Sequence, residues 1–436
     1  MGGSAAMLES CFKLKELGTN VRTEVLAGVT TFLTMAYIIF VNPSILAAAG
    51  MDQGAVFVAT CLSAAIGCAI MGFYANYPIA QAPGMGLNAF FAFVVVGTMG
   101  YTWQVALGAV FVSGVLFLIL SILPVREWVI NAIPKSQKMA ISAGIGFFLG
   151  LIALKSAGIV VDHPATLVTV GDLTQTTVIL AVLGFFAIVA LDRKGVPGAI
   201  IIGILAVSVV GMVLGISPPP DTFASMPPSI APTFLAFSFS DMFAVGVLSI
   251  IFAFLLVDMF DTAGTLVGVA ARANLLDADG KLPRLRKALI ADSTATMVGA
   301  ALGTSPVTSY IESAAGVKVG GRTGLTAVVV GLLFLLALLF APIAGAIPAY
   351  ATAPAILFVA CIMARGMADV DWDEMTDAVP AVVTALAMPF TFSIATGIGL
   401  GFITYVAVKA LSGRFSEVSP AMYAVAAVFV VYFWTG

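Results

Sequence analysis

Four acidic residues stand in stretches that are otherwise apolar, and they are the groups on which this sequence could do chemistry. Asp258 and Asp261 lie three apart in the run Phe254-Leu255-Leu256-Val257-Asp258-Met259-Phe260-Asp261-Thr262-Ala263-Gly264-Thr265. Residues at that spacing share a helix face. Asp292 stands in a second apolar run, and Glu312 follows a polar segment that contains Gly303 and Pro306. An acid at the centre of a membrane helix costs roughly 2.5–3.5 kcal/mol, so it tends to face a polar cavity or to have a task. Burial penalises the charged form of an acid, which suits such a group to carrying a proton. A second carboxylate can accept two N–H bonds from a planar heterocycle with adjacent ring N–H and amine donors, and charge-assisted bonds are about twice as strong as neutral ones.

Other candidates read more simply. Asp258 and Asp292 are explained as polar ties to neighbouring helices, and Phe90, Phe91, Phe260 and Tyr310 as packing that could also offer stacking faces. Lys155 is the one basic residue standing alone inside an apolar run. His163, the only histidine, lies beside Asp162 in a polar connection and cannot serve as a relay within the membrane. Cys11, Cys61, Cys68 and Cys361 lack the spacing of a metal site and imply no disulfide framework. No cofactor, metal or nucleic-acid partner is implied, and without a Cys/His pairing beside the acids an enzyme is disfavoured.

The elements that position these acids follow from composition. Of 436 residues, 61% are hydrophobic and only 9% charged, where soluble domains carry about 25% charged residues. The mean hydropathy is +1.12, so most of the surface must face lipid. A spanning helix needs about 20 apolar residues. Runs of that kind lie near 25–47, 55–74, 82–99, 104–123, 139–160, 174–191 and 198–215, then near 243–271, 286–303, 306–319, 324–345, 351–367, 377–411 and 420–434. This predicts an all-α integral membrane protein of fourteen spans, give or take one, because 377–411 is long for one span and carries Pro389 and Gly397. Gly2 to Ala6 read as an appendage ahead of a native Met7. The first apolar run has no cleavage site and reads as a retained helix.

Lys and Arg accumulate in cytoplasmic connections. A cytoplasmic N-terminus puts sixteen of the nineteen on that side, all but Lys155, Lys409 and Arg414. Seven spans followed by seven place the halves in opposite orientations, which suggests an inverted repeat. The third span of each half opens with a helix-breaking segment, Gln81-Ala82-Pro83-Gly84-Met85-Gly86-Leu87-Asn88-Ala89-Phe90 and Gly303-Thr304-Ser305-Pro306-Val307-Thr308-Ser309-Tyr310-Ile311-Glu312-Ser313. Paired interrupted spans at matching positions point to a transporter binding site near the midplane.

At these residues the chain resembles the AzgA-like adenine/guanine/hypoxanthine permeases of the nucleobase–ascorbate transporter superfamily, from Thr23 to the last span. Five segments carry the resemblance. They are Thr23-Glu24-Val25-Leu26-Ala27-Gly28-Val29-Thr30-Thr31-Phe32-Leu33-Thr34-Met35-Ala36-Tyr37-Ile38, Ala82 to Ala89, Phe260 to Thr265, Gly303 to Ser313, and Gly321-Arg322-Thr323-Gly324-Leu325-Thr326-Ala327. The resemblance implies the uracil-permease-like fold, a 7+7 inverted repeat with a core domain (23–123 and 243–345) and a gate domain (139–215 and 351–434). It implies import of purine nucleobases by proton symport across an inner membrane, by a possible homodimer. It also implies that Asp261 binds the base and couples to the proton with Thr265 one turn on, that Glu312 holds the base by its N–H donors beside Tyr310 and Ile311 and shares in coupling, and that Asn88 lines the same pocket. The uracil-permease branch has Glu at the position of Asp261 and His at that of Thr265. The shorter acid leaves room for a two-ring base, and the histidine relay does not carry over. The alternative is a transporter or channel of the same fold for another nucleobase or a small anion.

Overall fold

Polar residues cap the apolar helices. In a computed structural model, which describes residues 2–123, 133–240, 245–273, 275 and 282–435, Asn20 accepts from Thr23 N at 3.0 Å and opens span 1, Val21–Ala47. Asp52 accepts from Ala55 N at 2.7 Å and opens span 2, Gln53–Ala75. Such caps satisfy N–H groups that the first helical turn leaves without partners. Span 4 is Trp103–Ile122, span 5 Lys135–Ser156, span 6 Thr176–Arg193 and span 7 Ala199–Val213. Span 8 is Val245–Arg272, span 9 Leu285–Leu302, span 11 Gly324–Ala346 and span 12 Ala349–Asp369. Among the described residues nine helices are long and apolar enough to cross a membrane, and four shorter apolar helices join them. Arg126 and Lys281, two of the charges used to orient the chain, lie outside the described residues.

Spans 3 and 10 are broken in the same way. Strand β1 (Gln81–Pro83) leads into helical turns from Leu87 to Thr98, and strand β4 (Val307–Ser309) leads into a helix at Ser313–Val319. Between them in the chain, β2 (Val160–His163) and β3 (Leu167–Val170) form an exposed hairpin. β1 and β4 pair antiparallel, with Gln81 opposite Ser309 and Pro83 opposite Val307. Tyr310 N donates to Ala80 O at 2.9 Å and Gly84 N to Pro306 O at 2.8 Å. Extended backbone inside a bilayer must be satisfied within the protein, and the two halves satisfy each other.

The stretch 377–411 is two antiparallel helices, Met375–Phe390 and Ile394–Leu411. Gly397 is not the break. The turn falls at Thr391–Ser393, where Phe392 takes a left-handed φ of 52° and Ser393 caps the next helix by accepting from Thr396 N at 3.2 Å. This hairpin returns Lys409 and Arg414 to the side of the bundle where Arg365 ends span 12. There Lys409 bonds Glu417 at 2.8 Å and Asp377 at 3.4 Å, while Arg414 bonds Glu374 and Glu417, each at 2.6 Å. The Arg414 guanidinium, helped by Thr376, holds the half-buried Glu374 carboxyl down at about 2. Lys155 remains at the opposite end, 3.1 Å from Asp162.

Spans 1, 2, 4, 8, 9 and 11 pack mostly on one another, as do spans 5, 6, 7, 12 and the hairpin. At the start of span 1 the buried Glu24 accepts from Arg322 N, Thr323 N and Thr326 Oγ1 at 2.8, 3.2 and 2.6 Å, binding span 1 to the head of span 11. Spans 6 and 7 turn Leu183, Phe186, Val209 and Val213 outward, each more than half exposed. An apolar belt of that extent belongs against lipid.

Candidate functional site

The crossing of β1 and β4 places the ends of both broken spans against span 8. Thr262 Oγ1 bonds Thr308 Oγ1 at 2.8 Å, which seats the middle of span 8 on β4. Close approach here depends on Gly84, where a Cβ would stand 2.7 Å from Thr308 Cγ2. Gly86 has a φ of +89°, and a Cβ there would meet Ile145 of span 5 at 2.5 Å. A side chain at either position would force the broken span away from its neighbours.

Asp261 and Glu312 are both half-buried and lie within electrostatic reach of each other and of Tyr37. The Tyr37 hydroxyl donates to Glu312 Oε1 at 2.6 Å. Along the face of span 8 that carries Asp261, Gly264 and Gly268 are exposed with open space where a Cβ would stand. Ile311 is also exposed, whereas Thr265 and Tyr310 are buried. The Tyr310 hydroxyl bonds Pro83 O, locking the two breaks together. Among the described residues neither Asp261 nor Glu312 forms an ion pair. The site thus offers two uncompensated carboxylates, one steadied by a phenol, to a polar cargo.

Asp261, Tyr310 and Glu312 lie within electrostatic reach of one another, with Ile311 between the last two in the chain and Thr265 one turn beyond Asp261 on span 8. Asn88 is wholly buried, with its amide donating to Asn42 Oδ1 at 3.1 Å. Asn42 in turn donates to Thr60 at 2.8 Å and Thr304 at 2.9 Å, so Asn88 braces span 3 against spans 1 and 2. Phe90 and Phe91 are buried against Phe254, with ring centroids 5.1 and 6.4 Å away, and act as packing. The Phe260 side chain lies outside the described residues. His163 is exposed on the β2–β3 hairpin. Sequence reasoning missed Tyr37. Its signal was a phenol inside the apolar run Met35–Ile38 of a segment already singled out.

A bundle of apolar helices with two broken spans crossing inside it, and carboxylates beside the crossing, is the architecture of a transporter. The chain belongs to the Permease family Xan_ur_permease, whose pattern it matches over residues 22–400, within the nucleobase–ascorbate transporters. It is 50% identical over 425 residues to the adenine permease AdeP of Escherichia coli (strain K12), covering 98% of this chain and 95% of that one. It is 47% identical over 437 residues to the guanine/hypoxanthine permease PbuG of Bacillus subtilis (strain 168), covering 98% and 99%. The transmembrane domain of the cyanobacterial bicarbonate transporter BicA superposes with a TM-score of 0.63 at 16% identity, over 89% of this chain and 97% of that domain. At that identity the likeness concerns the fold alone.

Proposed function

We propose that this permease imports purine nucleobases by proton symport, with the base held between Asp261 and Glu312. The observation that carries this reading is the pair of half-buried carboxylates beside the β1–β4 crossing, with no ion pair to either among the described residues. A purine presents N–H donors that a carboxylate can accept, in guanine an adjacent pair at N1 and N2. The adenine and guanine/hypoxanthine cargoes of the two relatives support a purine. Asp261 is the proton carrier and Glu312 the principal base ligand, with Thr265, Tyr310 and Ile311 shaping the pocket and Asn88 bracing it.

Alternating access follows if spans 1–4 and 8–11 move as a core domain against a gate domain of spans 5–7 and 12 onward. The packing of spans into two groups supports that division. Pairing of gate domains in a homodimer, insertion in an inner membrane and a cytoplasmic N-terminus complete the proposal, the last supported by the side on which Lys and Arg gather. The test is uptake of labelled hypoxanthine, adenine or guanine into proteoliposomes under an imposed pH gradient. Accumulation above equilibrium that a protonophore abolishes is expected. Equilibration without accumulation would mean a channel, and uptake of no purine would remove the cargo.

A further inference from the structure

Two carboxylates at the interface of spans 8 and 9 have no part in the reading above. Asp258 of span 8 and Asp292 of span 9 are wholly buried, 1% and 0% exposed. Each is followed four residues later by a threonine, and the helices exchange bonds crosswise. Thr296 Oγ1 bonds Asp258 Oδ2 at 3.0 Å while donating to Val307 O at 2.7 Å, and Thr262 donates to Asp292 Oδ2 at 2.9 Å. Residues four apart share a face, so the same Asp-x-x-x-Thr pattern on both helices builds this cross.

The two acids are not equally served. Asp292 Oδ1 also accepts from Gln81 Nε2 at 3.0 Å and Ser309 Oγ at 2.9 Å, giving this carboxyl three donors, as an ionised group requires. Asp258 has one partner, the Thr296 hydroxyl whose single proton Val307 O also accepts, and its Oδ1 is buried with no hydrogen-bond partner. The charged groups acting on Asp258 are Asp292 across the helix interface and Asp261 on its own helix, both acids. Strand β4 turns hydroxyls to the pair through Thr308 and Ser309, and span 2 brings Cys68, whose sulfur lies 3.1 Å from Gln81 N. Among the described residues no Lys, Arg or His forms an ion pair with either acid. Two ionised acids in a dry, cation-free interface would carry a desolvation penalty that the single bond to Asp258 does not offset.

We infer that Asp258 and Asp292 form a buried proton-binding site in which one proton resides on Asp258 while Asp292 stays ionised. A neutral Asp258 donates from Oδ2 to Thr296 Oγ1, whose own proton goes to Val307 O, and leaves only an uncharged carbonyl oxygen unbonded, where an ionised one would strand a charge. The resident proton lets spans 8 and 9 and the β1–β4 pair close into one unit, and it is distinct from any proton exchanged at Asp261.

Infrared spectroscopy of the purified full-length protein tests this without substrate. At neutral pH the unloaded protein is expected to show a carboxylic acid C=O band that resists exchange into deuterium oxide. Asp258→Asn should remove that band and Asp261→Asn should leave it. Asp258→Asn, isosteric with the neutral acid, is expected to melt near wild type. Asp292→Asn turns an acceptor of three donors into an amide with donors of its own, and should melt markedly lower. A wild-type spectrum without the band overturns the inference even if Asp258→Asn fails to fold. A band lost in Asp292→Asn but kept in Asp258→Asn overturns it as well. Should sodium chloride raise the wild-type melting temperature over choline chloride, and not that of Asp258→Asn, the pair binds a sodium ion and the proton assignment falls. None of these readouts needs a purine, so they stand apart from the transport reading.

Discussion

Tyr37 and Glu312 are 275 positions apart in the chain, and the hydroxyl of the first donates a 2.6 Å hydrogen bond to the carboxylate of the second. Tyr37 stands where span 1 breaks between the helices Val21–Met35 and Ile38–Ala47, and Glu312 stands just before the helix Ser313–Val319 of span 10. A bond between two helix interruptions fixes the direction in which Glu312 presents its second oxygen.

Removing that bond should therefore weaken binding without unfolding the protein. A hydrogen bond to a charged group contributes about 1.5–3 kcal/mol, so Tyr37→Phe is expected to raise the Kd for the transported base roughly tenfold to a hundredfold. Equilibrium binding of labelled base in detergent measures this. An unchanged Kd would show that the phenol does not orient Glu312.

Glu312→Gln goes further, because an amide presents one acceptor oxygen where a carboxylate presents two, and it adds donors that face the donors of the base. Binding should be lost or fall by at least the two to three decades that two charge-assisted bonds represent, about 3–4 kcal/mol. Affinity near wild type in the same assay would remove Glu312 from the substrate role.

The sequence made the spans and the two interrupted segments legible because lipid leaves few choices. Apolar runs of sufficient length must be helices, and a Gly/Pro break survives only where something satisfies its backbone. What satisfies it was not legible, since the pairing of Gln81 with Ser309 joins positions on opposite halves of the chain. Asn88 illustrates the same limit. Its place beside the break was evident, but a side chain at the head of a helix can turn either to the cavity or to the bundle, and here Asn42 claims it. In 377–411 the residues that suggested a break, Pro389 and Gly397, fall in the last turn of one helix and the first of the next, and Phe392 between them takes the left-handed turn.

The clamp at the base of that hairpin predicts a response to acid. Arg414 holds Glu374 at about 2, below the ordinary 4.5, so the clamp's stabilisation is present above the unfolded value and is lost as pH falls from about 4.5 through about 2. Arg414→Gln should melt below wild type at neutral pH, with the difference shrinking across that window. The pair is about a third open to solvent, so the difference is small and should shrink further in high salt. Melting temperatures of both proteins over the acid range provide the check, and a constant difference would mean that Glu374 does not report the clamp.

Coupling is tested most directly at Asp261. It lies on span 8 beside the β1–β4 crossing, half-buried, with Glu312 within electrostatic reach and no basic partner among the described residues. A carboxylate that stays charged through the whole cycle releases no proton, so a carrier at this position must alternate between its two forms as the site opens to either side. Asp261→Asn fixes the neutral shape. The variant is expected to lose accumulation driven by a pH gradient, while still exchanging labelled for unlabelled base, because exchange needs only the return of a loaded carrier and no net proton movement. Proteoliposomes loaded with base measure both, with an imposed gradient for the first and none for the second. If exchange disappears together with accumulation, a binding assay separates a damaged pocket from a blocked carrier. Undiminished gradient-driven uptake by Asp261→Asn would show that the coupled proton rides elsewhere, with Glu312 the next group to substitute.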